Sequence, residues 1–212
     1  MSSLVLRLSG PMQAWGTQSR FRNRDSGLEP SKSGVLGLIC AAMGIPRTDD
    51  VALKSLAKLT MGVRVDREGR LMRDFQTAGG GDWPGIDQYG VIKADGSAPD
   101  TVVSERFYLA NAVFLIALSG SRELLERIEK ALQNPIWPLF LGRKAFPPSE
   151  PVYLKNGLRE EDLESVLRVF PLISKNGNDN SRWLRLVLEC EPEKGQPRMD
   201  QPLSFLPGNR RH

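Results

Sequence analysis

The chain opens on an alternation. Leu4, Leu6 and Leu8 fall on one side of an extended segment, and Val5, Arg7 and Ser9 fall on the other. That is the period of a strand with one covered face. Gly10-Pro11 ends it, and a polar, basic loop runs from Gln13 to Pro30, too long for a plain connector. Ser31 or Ser33 then caps a helix reaching about Met43, with Val35, Leu36, Ile39 and Met43 as its apolar stripe. Gly34 and Gly37 are poor helix formers and mark places where the helix comes close to a sheet or a ligand. Gly44 and Pro46 stop it, and Asp49 or Asp50 begins a second short helix through Leu59.

Met61, Val63 and Val65 alternate with Gly62, Arg64 and Asp66 in a second strand. Arg67-Glu68-Gly69-Arg70 reads as a hairpin turn into another alternating run, Leu71 to Gln76. The stretch from Ala78 to Asp100, rich in Gly, Asp and Pro, reads as a mobile insertion, with Val102 to Ala110 returning from it as a strand. Ala112 to Leu118 is apolar on both faces, which places it at the centre of a sheet. Ser121 caps a helix with Leu124, Leu125, Ile128 and Leu132 on one side. Pro135 to Leu154 reads as irregular, Glu161 to Phe170 as a short helix and Leu184 to Cys190 as a late strand. The polar tail after Pro192 reads as loose.

This order predicts an α+β, ferredoxin-like (RRM-like) sandwich. Helices cover one face of its sheet and the other face stays free, a common platform for RNA. Periodicity does not say which segment supplies the fourth strand. Residues 1–155 hold most of the domain, and residues 156–212 complete it.

Composition narrows the chemistry. The 212 residues include 29 Lys plus Arg against 25 Asp plus Glu, a net of +4. The excess is concentrated, because residues 1–73 hold 12 basic and 6 acidic side chains, a net of +6. Such a stretch is either the footprint of a polyanion or a solvated surface. The single histidine is His212, at the end of the sequence, where chains usually fray. A relay of Ser or Cys with His therefore has no base. Cys40 and Cys190 stand far apart without neighbouring ligands, so no zinc motif can be read. No secretory signal and no window of about 20 apolar residues is present, which makes the cytoplasm the expected compartment, with no membrane partner.

Four constellations carry candidate chemistry, each with a structural alternative. Gly27-x-x-x-Ser31-Lys32-Ser33-Gly34 lacks the second glycine and the preceding strand of a nucleotide loop. Its helix amides, Lys32 and Ser33 are still a seat for one backbone phosphate, or simply a capped helix start. Trp15 and Phe21 offer stacking faces beside Ser19, Arg20, Arg22 and Arg24, unless Trp15 belongs to the core. Arg73-Asp74-Phe75-Gln76 is either a contact or a hairpin with a surface ion pair, and Gly142-Arg143-Lys144 is either a contact or a solvated basic loop. Metal-free RNA cleavage could draw on Lys144 with Tyr108 or Tyr153.

Taken together these stretches resemble one family. Leu6-Arg7-Leu8-Ser9-Gly10-Pro11-Met12-Gln13-Ala14-Trp15-Gly16 is similar to the opening of the CasD family, type I-E CRISPR Cascade subunits of the RAMP superfamily. The resemblance continues at Pro30 to Leu38, Met43-Gly44-Ile45, Arg47, Arg73-Asp74-Phe75, Tyr108 to Leu118, Leu141-Gly142-Arg143-Lys144 and Pro147-Pro148. It implies a ferredoxin-like RAMP fold with an inserted thumb hairpin at about residues 76–110. It also implies a non-catalytic subunit without cofactor or metal that binds and caps the 5′ handle of mature CRISPR RNA. Expected partners are the CRISPR RNA, the backbone RAMP subunit, the large subunit and, through the complex, target DNA.

On this basis Arg20, Arg22, Arg24, Lys32 and Ser33 hold phosphates, and Trp15 and Phe21 stack on bases. Ser19, Arg73, Gln76, Arg106, Arg143 and Lys144 add contacts. Gln76 stands where the family often has histidine, so no proton or charge can be supplied there near neutral pH. The alternatives are a metal-independent endoribonuclease that processes CRISPR repeat RNA, and a protein-interaction domain with a basic loop.

Overall fold

The computed structural model describes residues 2–16, 22–79, 90–91, 99–173 and 183–206. Ser19, Arg20, Phe21, His212 and most of the expected insertion lie outside the described residues. In chain order the elements are β1 (Ser2–Ser9), β2 (Met12–Gln13), β3 (Asn23–Arg24), α1 (Lys32–Met43), α2 (Asp50–Ala57), β4 (Thr60–Arg67) and β5 (Arg70–Ala78). There follow β6 (Val102–Ala110), β7 (Val113–Gly120), α3 (Arg122–Gln133), β8 (Tyr153–Arg159), α4 (Leu163–Val169) and β9 (Arg185–Leu188).

The main sheet runs β8-β1-β7-β4-β9, with every neighbouring pair antiparallel. Its first four strands, linked through α1 and α3, have the ferredoxin-like order. Alternation sorts the side chains. Leu4, Leu6, Leu8, Met61, Val63, Val65, Phe114, Ile116 and Leu118 share one core with Val35, Leu36 and Ile39 of α1 and Leu125 and Ile128 of α3. α1 is capped by the Ser31 hydroxyl, which accepts from the Gly34 amide, and it ends at Gly44 in the left-handed region (φ 69°).

The second face departs from expectation. It is not a free platform. Val5, Leu115 and Ala117 form a second buried cluster with Val166 and Leu167 of α4. Arg64, also on this face, pairs with Asp66 and donates to the Leu167, Phe170 and Pro171 carbonyls. The helix itself was expected over Glu161 to Phe170, but its place on the sheet was not, because its partners Val5, Leu115 and Ala117 are distant in sequence.

Two further corrections concern strands. The fourth strand is β8, inside a stretch read partly as irregular. Asn156 there has φ 57° and the register with β1 shifts between Leu4 and Leu6, so Asn156-Gly157 reads locally as a turn. Residues 67–70 do not close a hairpin between β4 and β5, because β4 pairs with β7 and β9. They lead the chain out of the main sheet. Gly69 (φ 75°) makes this exit, and a Cβ there would lie 2.7 Å from the Ala110 carbonyl oxygen.

β5 and β6 form an antiparallel hairpin, in register from Arg70↔Ala110 to Ala78↔Val102. β2 pairs antiparallel with β6 at Ala110 and Leu109, and β3 pairs parallel with it at Glu105 and Arg106. Since β5 holds the other edge of β6 along its whole length, β2 and β3 share the opposite edge.

Candidate nucleic-acid interface

The second sheet collects the basic residues. Arg24 stands opposite Arg106 across the parallel β3–β6 pair, on one face. Arg106 Nε donates to Ser104 Oγ at 3.1 Å, and Ser104 Oγ donates to the Gln76 carbonyl at 3.3 Å. Gln76 Nε2 in turn donates to Asp74 Oδ2 at 3.3 Å. Period-two geometry therefore puts Arg24, Arg106, Ser104, Asp74, Gln76 and Tyr108 on the same side.

Arg143 joins them from the loop after α3. Its Nη2 donates to the Arg24 carbonyl at 3.2 Å and the Phe107 carbonyl at 2.9 Å, and its guanidinium lies 5.6 Å from the Phe146 ring centre. Phe146 packs against Tyr108 with ring centres 5.8 Å apart. Gly142 sets this loop. It holds φ 89°, and a Cβ there would run into the Ala14 carbonyl. Arg143 is therefore a strut joining β3 and β6 to the loop.

The electrostatics mark the same place. Burial lowers the affinity of Arg143 for its proton, and repulsion from Arg106 and Arg24 lowers it further, against attraction from Asp25 and Asp74. Three guanidinium groups close enough to repel one another form a positive site that a polyanion relieves. Arg22 and Lys144 are exposed beside it, and the Arg22 carbonyl accepts from the Glu105 amide at 2.8 Å.

Other expected contacts are not brought here. Arg73 points to the opposite face of the hairpin, pairs with Glu105 at 3.4 Å and lies over Phe75. Trp15 cannot stack on a base in this arrangement because it is 1% exposed. Its Nε1 donates to Gln13 Oε1 at 3.1 Å, while Gln13 Nε2 donates to the Leu8 and Ala112 carbonyls. The Trp15 ring also explains Gly34, where a Cβ would come within 2.8 Å of it.

Lys32 and Ser33 are likewise buried, and the seat at the start of α1 is already filled. The Lys32 amide donates to Asp200 Oδ2 at 3.0 Å and the Ser33 amide to the Asp200 carbonyl at 2.9 Å. Lys32 Nζ pairs with Glu189 at 2.9 Å. Asp200 thus supplies from within the chain the anion that the sequence motif invites. The tail expected to be loose is held at this point.

Sequence reasoning missed Ser104 and Phe146. Ser104 was legible, since it lies two residues from Arg106 on the same strand face. Phe146 carried no signal, because only the loop after α3 brings it beneath Arg143. Tyr153 lies on β8 of the main sheet, lining a cleft with Glu129, Gln133 and Lys155. Among the described residues no three His, Cys, Asp or Glu side chains are placed to hold a metal ion. No described helix is long and apolar enough to cross a membrane.

Comparison with known proteins agrees with this architecture. The family model described as CRISPR-associated protein (Cas_Cas5) matches residues 3–212. "CRISPR system Cascade subunit CasD" of Escherichia coli (strain K12) is 31% identical over 214 residues, covering 93% of this chain and 91% of that protein. Two solved structures are similar. One, "CRISPR RNA-guided surveillance complex", has TM-score 0.80 at 35% identity, covering 99% of this chain and 86% of the other. The second, "Crystal structure of Cas protein", has TM-score 0.72 at 40% identity, covering 95% and 86%. With its family model matched from residue 3 to residue 212, the chain belongs to the CRISPR-associated Cas5 protein family.

Proposed function

We propose that this chain is the RNA-binding subunit of a type I-E Cascade complex that caps the 5′ handle of CRISPR RNA in antiviral defence. The observation that carries the reading is the convergence of Arg24, Arg106 and Arg143 on one side of the second sheet. Support comes from the likeness to a Cascade subunit and to an RNA-guided complex.

RNA runs over the second sheet and the base of the hairpin, because α4 closes the second face of the main sheet. Arg24 and Arg106 hold phosphates, with Arg22 and Lys144 at the rim. Gln76, whose side chain shares their face, reads a base edge or accepts a sugar hydroxyl. Ser19, Arg20 and Phe21, which precede Arg22 in the sequence, are further candidate contacts. Arg143 acts through Arg24 and β6 by fixing where they stand.

The subunit works in the cytoplasm without cofactor or metal and without cutting RNA. Its partners are the CRISPR RNA, the backbone RAMP subunit and the large subunit, with target DNA reached through the complex. The test is co-expression with the other Cascade subunits and a CRISPR array, followed by mapping of the protected RNA. Co-purified RNA with a shielded 5′ handle is expected. An unprotected handle contradicts the binding role, and cleavage of labelled repeat RNA by the purified chain in chelator contradicts the non-catalytic one.

A further inference from the structure

β5 is a strand with one used edge. All nine of its residues are exposed, although Leu71, Met72 and Phe75 are apolar and 50%, 42% and 56% exposed. Its inner edge pairs with β6 without a break in register. Its outer edge pairs with no strand among the described residues.

Edges of this length are normally blunted by charged side chains, lysine above all, by proline, by a bulge or by a short run. β5 has no proline, no lysine and no register shift. Asp74 accepts from Gln76 within the hairpin, while Arg73, 3.4 Å from Glu105 and with its side chain 54% exposed, keeps donors for a second acid. The side chains are also patterned. Leu71, Arg73 and Phe75 project on one face, a cation between two apolar groups, while the basic cluster lies on the other face.

We infer that β5 is a docking edge on which an extended segment of a neighbouring protein subunit adds as an antiparallel strand. Main-chain hydrogen bonds supply the attraction and alternate side chains the selectivity. The segment that fits has an apolar–x–acidic–x–apolar pattern, its acid opposite Arg73 and its apolar residues against Leu71 and Phe75. This goes beyond RNA binding and rests on the assembly reading, which supplies the neighbouring subunit.

Strand addition leaves a signature that side-chain docking does not. In an antiparallel ladder only every second amide of β5 points away from β6. Hydrogen exchange is measured residue by residue over residues 70–78, in the free chain and in the co-expressed complex. Protection gained at alternate amides is expected, with Leu71→Thr/Phe75→Thr weakening partner retention about tenfold. Threonine keeps strand propensity at these exposed sites, so thermal melting of the variant is expected to match the parent.

Three results overturn the inference. The first is unchanged exchange at β5 in a complex that retains its RNA. The second is uniform protection of the strand that disappears on ribonuclease treatment, which would make it an RNA surface. The third is partner retention equal to the parent in a variant that melts normally. Failure to recover any RNA-containing complex is a separate outcome that bears on the assembly reading, and the same exchange assay on the chain mixed with separately purified subunits then decides the edge.

Discussion

Replacing Arg64 with methionine tests whether the second face of the main sheet is closed by design. Arg64 is 2% exposed, and its side chain donates to both Asp66 carboxylate oxygens, at 2.6 and 3.0 Å. It also reaches the Leu167, Phe170 and Pro171 carbonyls at 2.7, 2.5 and 3.0 Å. Asp66, with a side chain 0% exposed, accepts in addition from the Ile173 amide at 2.9 Å. Arg64→Met leaves that carboxylate buried with one amide as its remaining described partner. Breaking a buried ion pair from one side costs about 3–5 kcal/mol. With a urea slope of ~2–3 kcal/mol/M, the unfolding midpoint should fall by roughly 1–2.5 M. The double variant Arg64→Met/Asp66→Leu should recover much of this, because apolar replacement of a whole buried pair is often nearly neutral. It should stop short of the parent by about 1–3 kcal/mol, since three carbonyls lose their donor. Folded protein of either variant should bind RNA with the parent's salt dependence. A single-variant loss under ~1 kcal/mol would refute the clasp. A flattened salt dependence would show that RNA uses this face after all.

Gly142→Ala should cost on the order of 1–3 kcal/mol, because its φ of 89° is strained for alanine and the new Cβ meets the Ala14 carbonyl. RNA affinity should fall with it as Arg143 is displaced, and melting with filter binding reads both effects. Asp200→Ala should cost about 1 kcal/mol through the loss of an anion at the α1 amides. It should also speed proteolysis between residues 189 and 206, and unchanged cleavage would mean that the tail is held by other contacts. Burial, helped by the charge of Asp49, pushes the Cys40 thiol from 9.0 up to about 11. The folded state therefore keeps its proton longer, and this contribution is whole below pH 9 and lost as pH rises towards 11. Cys40→Ala should flatten the alkaline limb of the stability curve, while exposed Cys190 alone reacts with a thiol reagent in folded protein at pH 8.

The sandwich was legible where one face of an element is apolar and the other is not. Leu4 to Leu8, Met61 to Val65 and the α1 stripe each announced their element and its buried side. β8 was harder, because Asn156-Gly157 imitates a turn, and α4 was expected as a helix while the sheet face it covers was not. The site divided along the same line. Arg106 was readable as a basic residue in a strand and Arg24 as one in a basic loop, but their meeting depends on a parallel pairing of two-residue β3 with β6. Trp15 and Lys32 misled for the opposite reason. Their chemistry suits RNA, yet Gln13 and the distant Asp200 and Glu189 had already engaged them. Gly34 hinted at this, since a glycine in a helix start implies a close neighbour, and that neighbour is the Trp15 ring.

The most direct test of the account is the salt dependence of handle-RNA binding by the full chain. Each phosphate contact on a single strand contributes a logarithmic slope of about 0.7. Arg24→Ala/Arg106→Ala should therefore flatten the slope by roughly 1.4, while Lys32→Ala, whose ammonium is already paired with Glu189, should leave it unchanged. An unchanged slope in the double variant, or a flattened one in Lys32→Ala, would contradict the placement of RNA on the second sheet.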